Sequence, residues 1–192
     1  MGLFGWLKRS GNGANAPIET WRADWNRAAA AADAQAIAPL RAALEAHRPL
    51  APDLEIEEEM LEGLERLVTL TRQLHASQLP VVDTTHRVVG ADRCHYSAPA
   101  SMPDDPAQPS GRLLLTSSRA VFIGGARLTA LAWHAAAQVG CGERDLLLVR
   151  SDGQVAHRFR CNSYTDALCG AAIARHLMQT ARDRRPIRSA DL

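Results

Sequence analysis

The chain has 192 residues, of which 46% are hydrophobic, and a formal net charge of +1. It can therefore bury a sizeable core, and it has no overall charge excess that would favour nucleic acid or an anionic bilayer as a partner. Because Lys8 is the only lysine, a P-loop lysine and a Schiff-base lysine are excluded from the folded body. No apolar run approaches the roughly 20 residues of a membrane-spanning helix. The cysteines form no Cys-x-x-Cys pair and follow no secretory signal, which predicts reduced thiols in a cytosolic protein; they are Cys94, Cys141, Cys161 and Cys169.

We interpret residues 1–16 as a short amphipathic segment followed by a flexible tether. The segment begins with apolar residues and continues with basic ones, and the "GNGANAP" stretch after it is typical of a flexible linker. We expect weak contact with a membrane surface or a partner protein. The alternative is a segment that folds back on its own domain. The contact residues would be Leu3, Phe4, Trp6, Leu7, Lys8 and Arg9.

Residues 17–79 are predicted to be helical. Pro17 suits a first helical turn, and Trp21, Trp25 and Ala28 recur at helical spacing, which favours a buried face over a ligand site. Pro39 is expected to interrupt or kink this helix.

A longer helix is predicted to follow, with Asp53 as its N-cap and a glutamate-rich first turn that suits the positive helix pole. Its apolar stripe would be a core face. In an alternative hypothesis, the stripe is the interface of a helix-mediated oligomeric scaffold. Its residues are Met60, Leu64, Leu67 and Leu74.

Residues 80–182 favour an antiparallel sheet, because short β-rich runs follow one another without intervening helices. The proline-rich stretch "APASMPDDPAQPSG" is predicted to be a long loop. Ser163 to Asp166 form a capping-box pattern that should begin a final helix, and residues 183–192 would be a tail. The predicted strands are "HRVVG", "RCHYS", "RLLLT", "RAVFIG", "RLTALAW", "DLLLVRS" and "QVAHRFRC".

Roughly from His86 to Arg182 the chain resembles GRAM-like and bacterial pleckstrin-homology-like domains. Their Gly-x-Leu-x-Leu-Thr-x-x-Arg-hydrophobic-x-Phe hairpin is matched by Gly111, Leu113, Leu115, Thr116, Arg119 and Phe122. The resemblance implies an α+β chain in which N-terminal helices precede an antiparallel β-barrel capped by a C-terminal α-helix. It also implies an interaction module. Family members that grip phosphoinositide headgroups carry basic residues in the first long loop, where this chain has Asp104 and Asp105.

The arginines of the predicted strands outnumber the carboxylates there, and we expect most of them to lie on the solvated outer face. An alternative is that they face anionic lipid or an acidic protein. The arginines are Arg112, Arg119, Arg127, Arg144, Arg150, Arg158 and Arg160, against Glu143, Asp145 and Asp152.

Catalysis has little support from the residues. Cys94 and His95 are adjacent, and neighbours on a strand point to opposite faces, so they are not expected to pair as nucleophile and base. The other histidines show no metal-ligand spacing. We therefore predict a noncatalytic adaptor without cofactor or metal that binds a protein partner or a membrane surface and no nucleic acid, either cytoplasmic or peripheral at the inner membrane. The alternatives are the oligomeric scaffold and an enzyme that uses Cys94 or a histidine.

Overall fold

The computed structural model describes residues 16–49, 53–107, 109–125 and 127–184. The fold is α+β, as predicted. The helices are α1 Ala16–Ala31, α2 Ile37–His47, α3 Glu55–His75 and α4 Tyr164–Asp183. The strands are β1 Cys94–Ser101, β2 Ser110–Thr116, β3 Arg119–Gly124, β4 Arg127–Ala132, β5 Ala136–Gly142, β6 Asp145–Arg150 and β7 Val155–Cys161.

The two tryptophans of α1 lie in the core, as predicted, and each also has a polar partner. The indole Nε1 of Trp21 donates to the backbone oxygen of Leu40 at 2.8 Å. The indole of Trp25 donates to the backbone oxygen of Met60 at 2.7 Å. Because both indole N–H groups are bonded, burying these side chains leaves no polar group unsatisfied. The tryptophans thereby join α1 to α2 and to α3.

Two predictions about helix ends were wrong. The first helix ends before Pro39, at Ala31, and the next residue, Ala32, has a φ of +49°. Pro39 instead lies in the first turn of α2, where its missing N–H breaks no helical hydrogen bond. Asp53 does not cap α3. The N-cap is Leu54, which makes no side-chain capping bond because a leucine side chain has no hydrogen-bonding atom. That side chain is buried in the core between the helices.

Helix α3 joins the helical region to the sheet region through α4. Gly63 allows close approach, since a Cβ there would lie 3.2 Å from the backbone nitrogen of Thr165. Glu59 accepts a hydrogen bond from the backbone nitrogen of Tyr164 at 2.7 Å and pairs with Arg144. A carboxylate at the N-terminus of α4 satisfies an unpaired N–H and complements the helix dipole.

The sheet is antiparallel in every pairing, in the order β4-β3-β2-β1-β7-β6-β5. No pairing joins the edge strands β4 and β5 in the described part of the chain. A closed barrel, which the resemblance implied, is therefore not shown. Helix α4 packs against one face of the sheet, in a core with Trp133, Phe122 and Phe159 at its centre. Its N-cap is Ser163, whose hydroxyl accepts from the backbone nitrogen of Asp166 at 3.0 Å, as the sequence pattern predicted.

The "HRVVG" stretch is not a strand, which corrects a prediction. It contains a 3-10 helix, Arg87–Val89, and Val89 packs with Cys94, Leu114 and Val121 on the face of the sheet opposite the main core. This cover explains the continuous apolar run at Leu113 to Leu115, all three of which are 0% exposed. Strands buried on both faces have no need of polar alternation.

The predicted long loop is shorter than expected. Strand β1 runs through Pro99 to Ser101, and its pairing with β7 involves only Ala100 and Ser101. Pro99 therefore lies where β1 has no β7 partner, so its missing N–H costs no bond in that ladder. The sequence prediction also missed β5, whose residues are largely alanine and glycine. None of the described helices is long and apolar enough to cross a membrane.

Candidate functional site

A recess of about 340 Å³ opens where four segments of the fold meet. The segments are the chain after α3, the start of β1, the turn between β2 and β3, and the C-terminal turns of α4. We call this recess the polar pocket. Its lining residues are Ser77, Leu79, Val81, Arg93, His95, Ser117, His176, Leu177, Thr180 and Arg184.

A buried histidine contributes to the wall of the polar pocket. His95 is 6% exposed, and its Nδ1 lies 2.6 Å from the backbone oxygen of Pro80. A carbonyl oxygen can only accept, so Nδ1 carries a proton, and in the neutral ring Nε2 is the acceptor. The hydroxyl of Ser117, 2.9 Å from Nε2, therefore donates to the neutral ring. These two bonds fix the imidazole and orient the serine.

The turn between β2 and β3 is held by several further hydrogen bonds. The carboxylate of Asp92 accepts from the hydroxyls of Thr116 and Ser118. The indole of Trp133 donates to the backbone oxygen of Thr116 at 2.9 Å. The backbone nitrogen of Ser117 donates to the oxygen of Arg93 at 3.0 Å. With so many fixed bonds, this side of the pocket is preorganised.

The polar pocket is lined by two arginines and by no carboxylate. Within the described ranges, neither Arg93 nor Arg184 forms an ion pair. The acidic neighbours of these arginines in sequence have other partners, since Asp92 bonds the turn hydroxyls and Asp183 accepts from Gln179 at 3.0 Å. Among the described residues, the lining of the recess therefore has two guanidinium groups and no carboxylate.

A second arginine cluster is neutralised. Asp145 at the start of β6 is 7% exposed and accepts from Arg158 at 2.8 Å and from Arg160 at 2.8 Å. Burial alone would raise the pKa of Asp145, but the hydrogen bonds from Arg160 and Arg158 outweigh it and lower this pKa. Arg158 also lies 3.5 Å from Asp104 in the loop after β1. Of the two aspartates in that loop, Asp104 thus meets an arginine that is already bonded to Asp145. Asp105 accepts from the backbone nitrogen of Ala107 at 2.9 Å.

The four cysteines show no sign of activation. All are free. Burial raises the pKa of Cys161 to about 12 and those of Cys141 and Cys169 to about 11. Burial also raises the pKa of Cys94, whose thiol donates to the backbone oxygen of Tyr96 at 3.2 Å. Since the thiolate is the nucleophile, thiols of this kind are poorly reactive. No cluster of three or more His, Cys, Asp or Glu side chains suited to a metal is found among the described residues.

The site residues predicted from sequence do not meet in the polar pocket. Leu3, Phe4, Trp6, Leu7, Lys8 and Arg9 lie outside the described residues. The apolar stripe of α3 packs inside the chain: Met60, Leu64 and Leu67 are buried against α1, α2 and α4, and Leu74 packs against the main core. An interface between copies would have to open the helical region to use the three buried side chains.

The polar pocket was missed because its residues come from separate segments, with no motif that links them. Cys94 and His95 are adjacent in the sequence, but they lie in different places in the fold. His95 forms part of the pocket wall, and Cys94 belongs to the small core under residues 82–89. The sequence also gave no signal for the pairing of Arg158 and Arg160 with Asp145, since the prediction for the strand arginines was only that they lie on the solvated outer face.

A larger open groove of about 690 Å³ lies between α1 and α2. Its lining includes the apolar side chains of Trp21, Ala28 and Leu40 and the polar side chains of Asp24, Arg27, Asp33 and His47. Both signs of charge line this groove, so it has no electrostatic preference comparable to that of the polar pocket.

No protein-family model matches this chain, and no curated protein matches it. Among solved structures, it is similar to the C-terminal domain of an unknown protein from Leishmania infantum, with a TM-score of 0.40 and 10% identity over 47% of this chain and 89% of that one. It is also similar to the N-terminally truncated linker-DH/PH domains of p115-RhoGEF, with a TM-score of 0.41 and 11% identity over 73% of this chain and 47% of that one.

Proposed function

We propose that the protein is a noncatalytic interaction module with a PH- or GRAM-like fold, and that its partner binds at the polar pocket. The observation that carries the proposal is the pair of arginines, Arg93 and Arg184, in a recess with no carboxylate in its lining. Both arginines are exposed to solvent, and a recess lined by two positive charges and no carboxylate favours a partner that supplies negative charge.

The strand arrangement supports the PH- or GRAM-like part of the proposal. Four strands in chain order, β1 to β4, form one meander, β5 to β7 form another, and β1 joins β7. A final helix then packs on the sheet. An antiparallel sheet followed by a closing C-terminal helix is what the sequence resemblance implied.

Residues of the matching hairpin motif have structural roles that support the same proposal. A Cβ at Gly111 would lie 2.0 Å from the backbone oxygen of Ile123, so only glycine fits this crossing of β2 and β3. Thr116 accepts from the backbone nitrogen of Arg119 at 3.2 Å and thus closes the turn. Phe122 fills the main core.

The interaction role can be tested by photo-crosslinking in cells that express the protein. A photoreactive phenylalanine replaces Val81, which lines the polar pocket and is 62% exposed; the matched control is Val155, which is 51% exposed and not part of the pocket. We expect one protein partner to crosslink from position 81 and not from position 155. The purified partner should then bind the wild-type chain at least about ten-fold more tightly than the double variant Arg93→Gln, Arg184→Gln. Equal or absent crosslinks at both positions would overturn the proposed protein contact.

Membrane-surface binding through residues 1–16 is the other form of the proposed interaction. Flotation of the full chain and of a chain lacking these residues, with vesicles of phosphatidylcholine and phosphatidylglycerol, tests it directly. Flotation of the full chain alone supports attachment through Leu3, Phe4, Trp6 and Leu7. Equal absence of both proteins from the lipid layer dismisses it.

A further inference from the structure

We infer that residues 3–9 of this chain dock in the open groove between α1 and α2, which we call the α1–α2 groove. The inference goes beyond the proposed function, because it names the occupant of a second surface of the molecule. It gives the apolar side chains of these residues two alternative places, the groove and a membrane surface. Three observations carry it: the lining of the groove, the length of the connecting chain, and the charges on both partners.

The lining of the α1–α2 groove is apolar in more than half of its residues. Pro17, Pro39 and Ala43 are exposed to solvent, beside the buried side chains of Trp21 and Leu40. A volume of about 690 Å³ is within the size range of pockets that bury most of the surface of an apolar ligand. An occupant that fits this groove is therefore apolar and has several large side chains.

Residues 3–9 have the composition that this groove requires. Their sequence is "LFGWLKR", in which four of the first five residues are large and apolar. Removing such side chains from water is favourable in proportion to the apolar area that is covered. Residues 185–192 also lie outside the described part of the chain, but they have only two large apolar side chains, Ile187 and Leu192. The composition therefore favours residues 3–9 as the occupant.

The connecting chain is long enough for docking within one molecule. Pro17, in the first turn of α1, lines the groove, and the groove extends along α1 to Ala28, about 17 Å away at the helical rise per residue. When extended, residues 8–16 span about 30 Å, so the chain can reverse and reach every part of the groove. A tether of this length gives an effective concentration of the order of millimolar, and docking then needs only weak intrinsic affinity.

The charges favour the same occupant. Asp33 lines the groove and is exposed. Its carboxylate accepts one backbone N–H, but it forms no ion pair within the described ranges. The other lining carboxylate, Asp24, is already paired with Arg27. Lys8 and Arg9 follow the apolar residues and supply the charge that complements Asp33.

Photo-crosslinking within the purified full chain tests the inference. A photoreactive phenylalanine replaces Phe4, and proteolysis followed by mass spectrometry locates the crosslinks in the monomer. We expect most of them to lie within residues 17–47. Crosslinks mainly to other parts of the chain, or no crosslinks, would overturn the inference. Crosslinks that form only between two chains would also overturn it, because a second copy would then be the source of the occupant.

Two neighbouring alanines of α2 provide matched variants. Ala43 lines the groove and Ala42 does not, and both are exposed. Arginine is a good helix former, so neither substitution is expected to disrupt the helix. Ala43→Arg should lower the yield of crosslinks to residues 17–47 at least about five-fold, because it places a large side chain with the charge of Lys8 and Arg9 in the groove. Ala42→Arg should keep the wild-type yield. The same yield from both variants would contradict docking in this groove.

Vesicle flotation separates this inference from the proposed membrane contact. If residues 3–7 attach to phosphatidylglycerol-containing vesicles, Ala43→Arg should float more than the wild type, because a blocked groove leaves the apolar side chains available to lipid. Ala42→Arg adds the same charge and should float like the wild type. Equal flotation of all three proteins would show that the groove and the membrane do not compete. If none of them floats, the membrane contact is removed, and the crosslinks alone decide the docking.

Discussion

The Nε2 atom of His95 lies 2.9 Å from the hydroxyl oxygen of Ser117, and this bond ties the first residues of β1 to the turn between β2 and β3. The same imidazole donates to the backbone oxygen of Pro80, so one buried side chain joins three segments that border the polar pocket. The pocket wall therefore depends on a hydrogen-bond network as well as on apolar packing.

Replacing His95 by leucine should lower the free energy of unfolding by about 2 kcal/mol, because the Pro80 oxygen and the Ser117 hydroxyl would lose their partner in a partly buried place. Urea unfolding followed by fluorescence measures the change. Ser117→Ala is the matched control and should cost less, about 1 kcal/mol, since it removes one bond and leaves the Pro80 bond intact. Equal stability of wild type and His95→Leu would contradict the structural role.

Arg22→Ala should destabilise the helical region by about 3 kcal/mol. Glu57 is 3% exposed, and Arg22 Nε donates to it at 2.8 Å, so the substitution leaves a buried carboxylate without its partner. The double variant Arg22→Met, Glu57→Met should recover most of the loss, since it removes both charges. Arg27→Ala, which breaks the exposed pair with Asp24, should change the free energy by less than about 1 kcal/mol. A similar effect from the two single variants would show that burial of Glu57 does not matter.

Gly63→Leu should separate α3 from α4 and cost about 2 kcal/mol or more, because a side chain there meets the backbone of α4. A Cβ alone would lie 3.3 Å from the carbonyl carbon of Tyr164. At Gly142, a Cβ would meet nothing within 4 Å, so Gly142→Ala is expected to be nearly neutral. Thermal unfolding midpoints of the two variants provide the comparison. A midpoint for Gly63→Leu as high as that of Gly142→Ala would refute the close helix contact.

Acid should weaken the fold partly through Asp145. Its pKa in the folded chain is lowered, so its contribution to stability is complete above the ordinary carboxyl pKa of about 4 and is lost as the pH falls from there through the folded pKa. The free energy of unfolding, measured from pH 7 down to pH 3, should fall less steeply for Asp145→Asn than for the wild type. Asp152→Asn, at an exposed ion pair, should keep the wild-type slope. Parallel profiles for wild type and Asp145→Asn would be inconsistent with this linkage.

Thiol labelling at pH 8 should be slow in the native protein and complete in urea. Burial raises the pKa of Cys161 to about 12 and that of Cys169 to about 11, so few thiolates form at that pH. Iodoacetamide labelling followed by mass spectrometry gives the rate at each cysteine, with free cysteine as the reference. A native Cys94 that reacts faster than free cysteine would reopen the hypothesis of an enzyme with a cysteine nucleophile.

Local patterns predicted most of the regular structure. The spacing of Trp21, Trp25 and Ala28 indicated a helix with one buried face, and the structure buries all three. The Ser163 cap could be predicted from the sequence for the same reason, since a side chain and a backbone N–H three residues apart interact within one turn. Strand β5 could not be predicted, because its alanine and glycine residues carry no β-forming signal. The stretch at residues 87–89 looked like a strand, but it covers the sheet instead.

By itself, the sequence determined the α+β class, the order of the helices and most of the strands, because these depend on periodicities and caps within a few residues. Tertiary structure alone decided which arginines are neutralised. Antiparallel pairing sets Asp145 opposite Arg160, whereas Arg93 and Arg184 both line a recess without a carboxylate in its lining. The physical reason is that a charge is balanced by whatever group the fold brings within a few ångströms, and such distances between remote segments are fixed only when the sheet and helices pack.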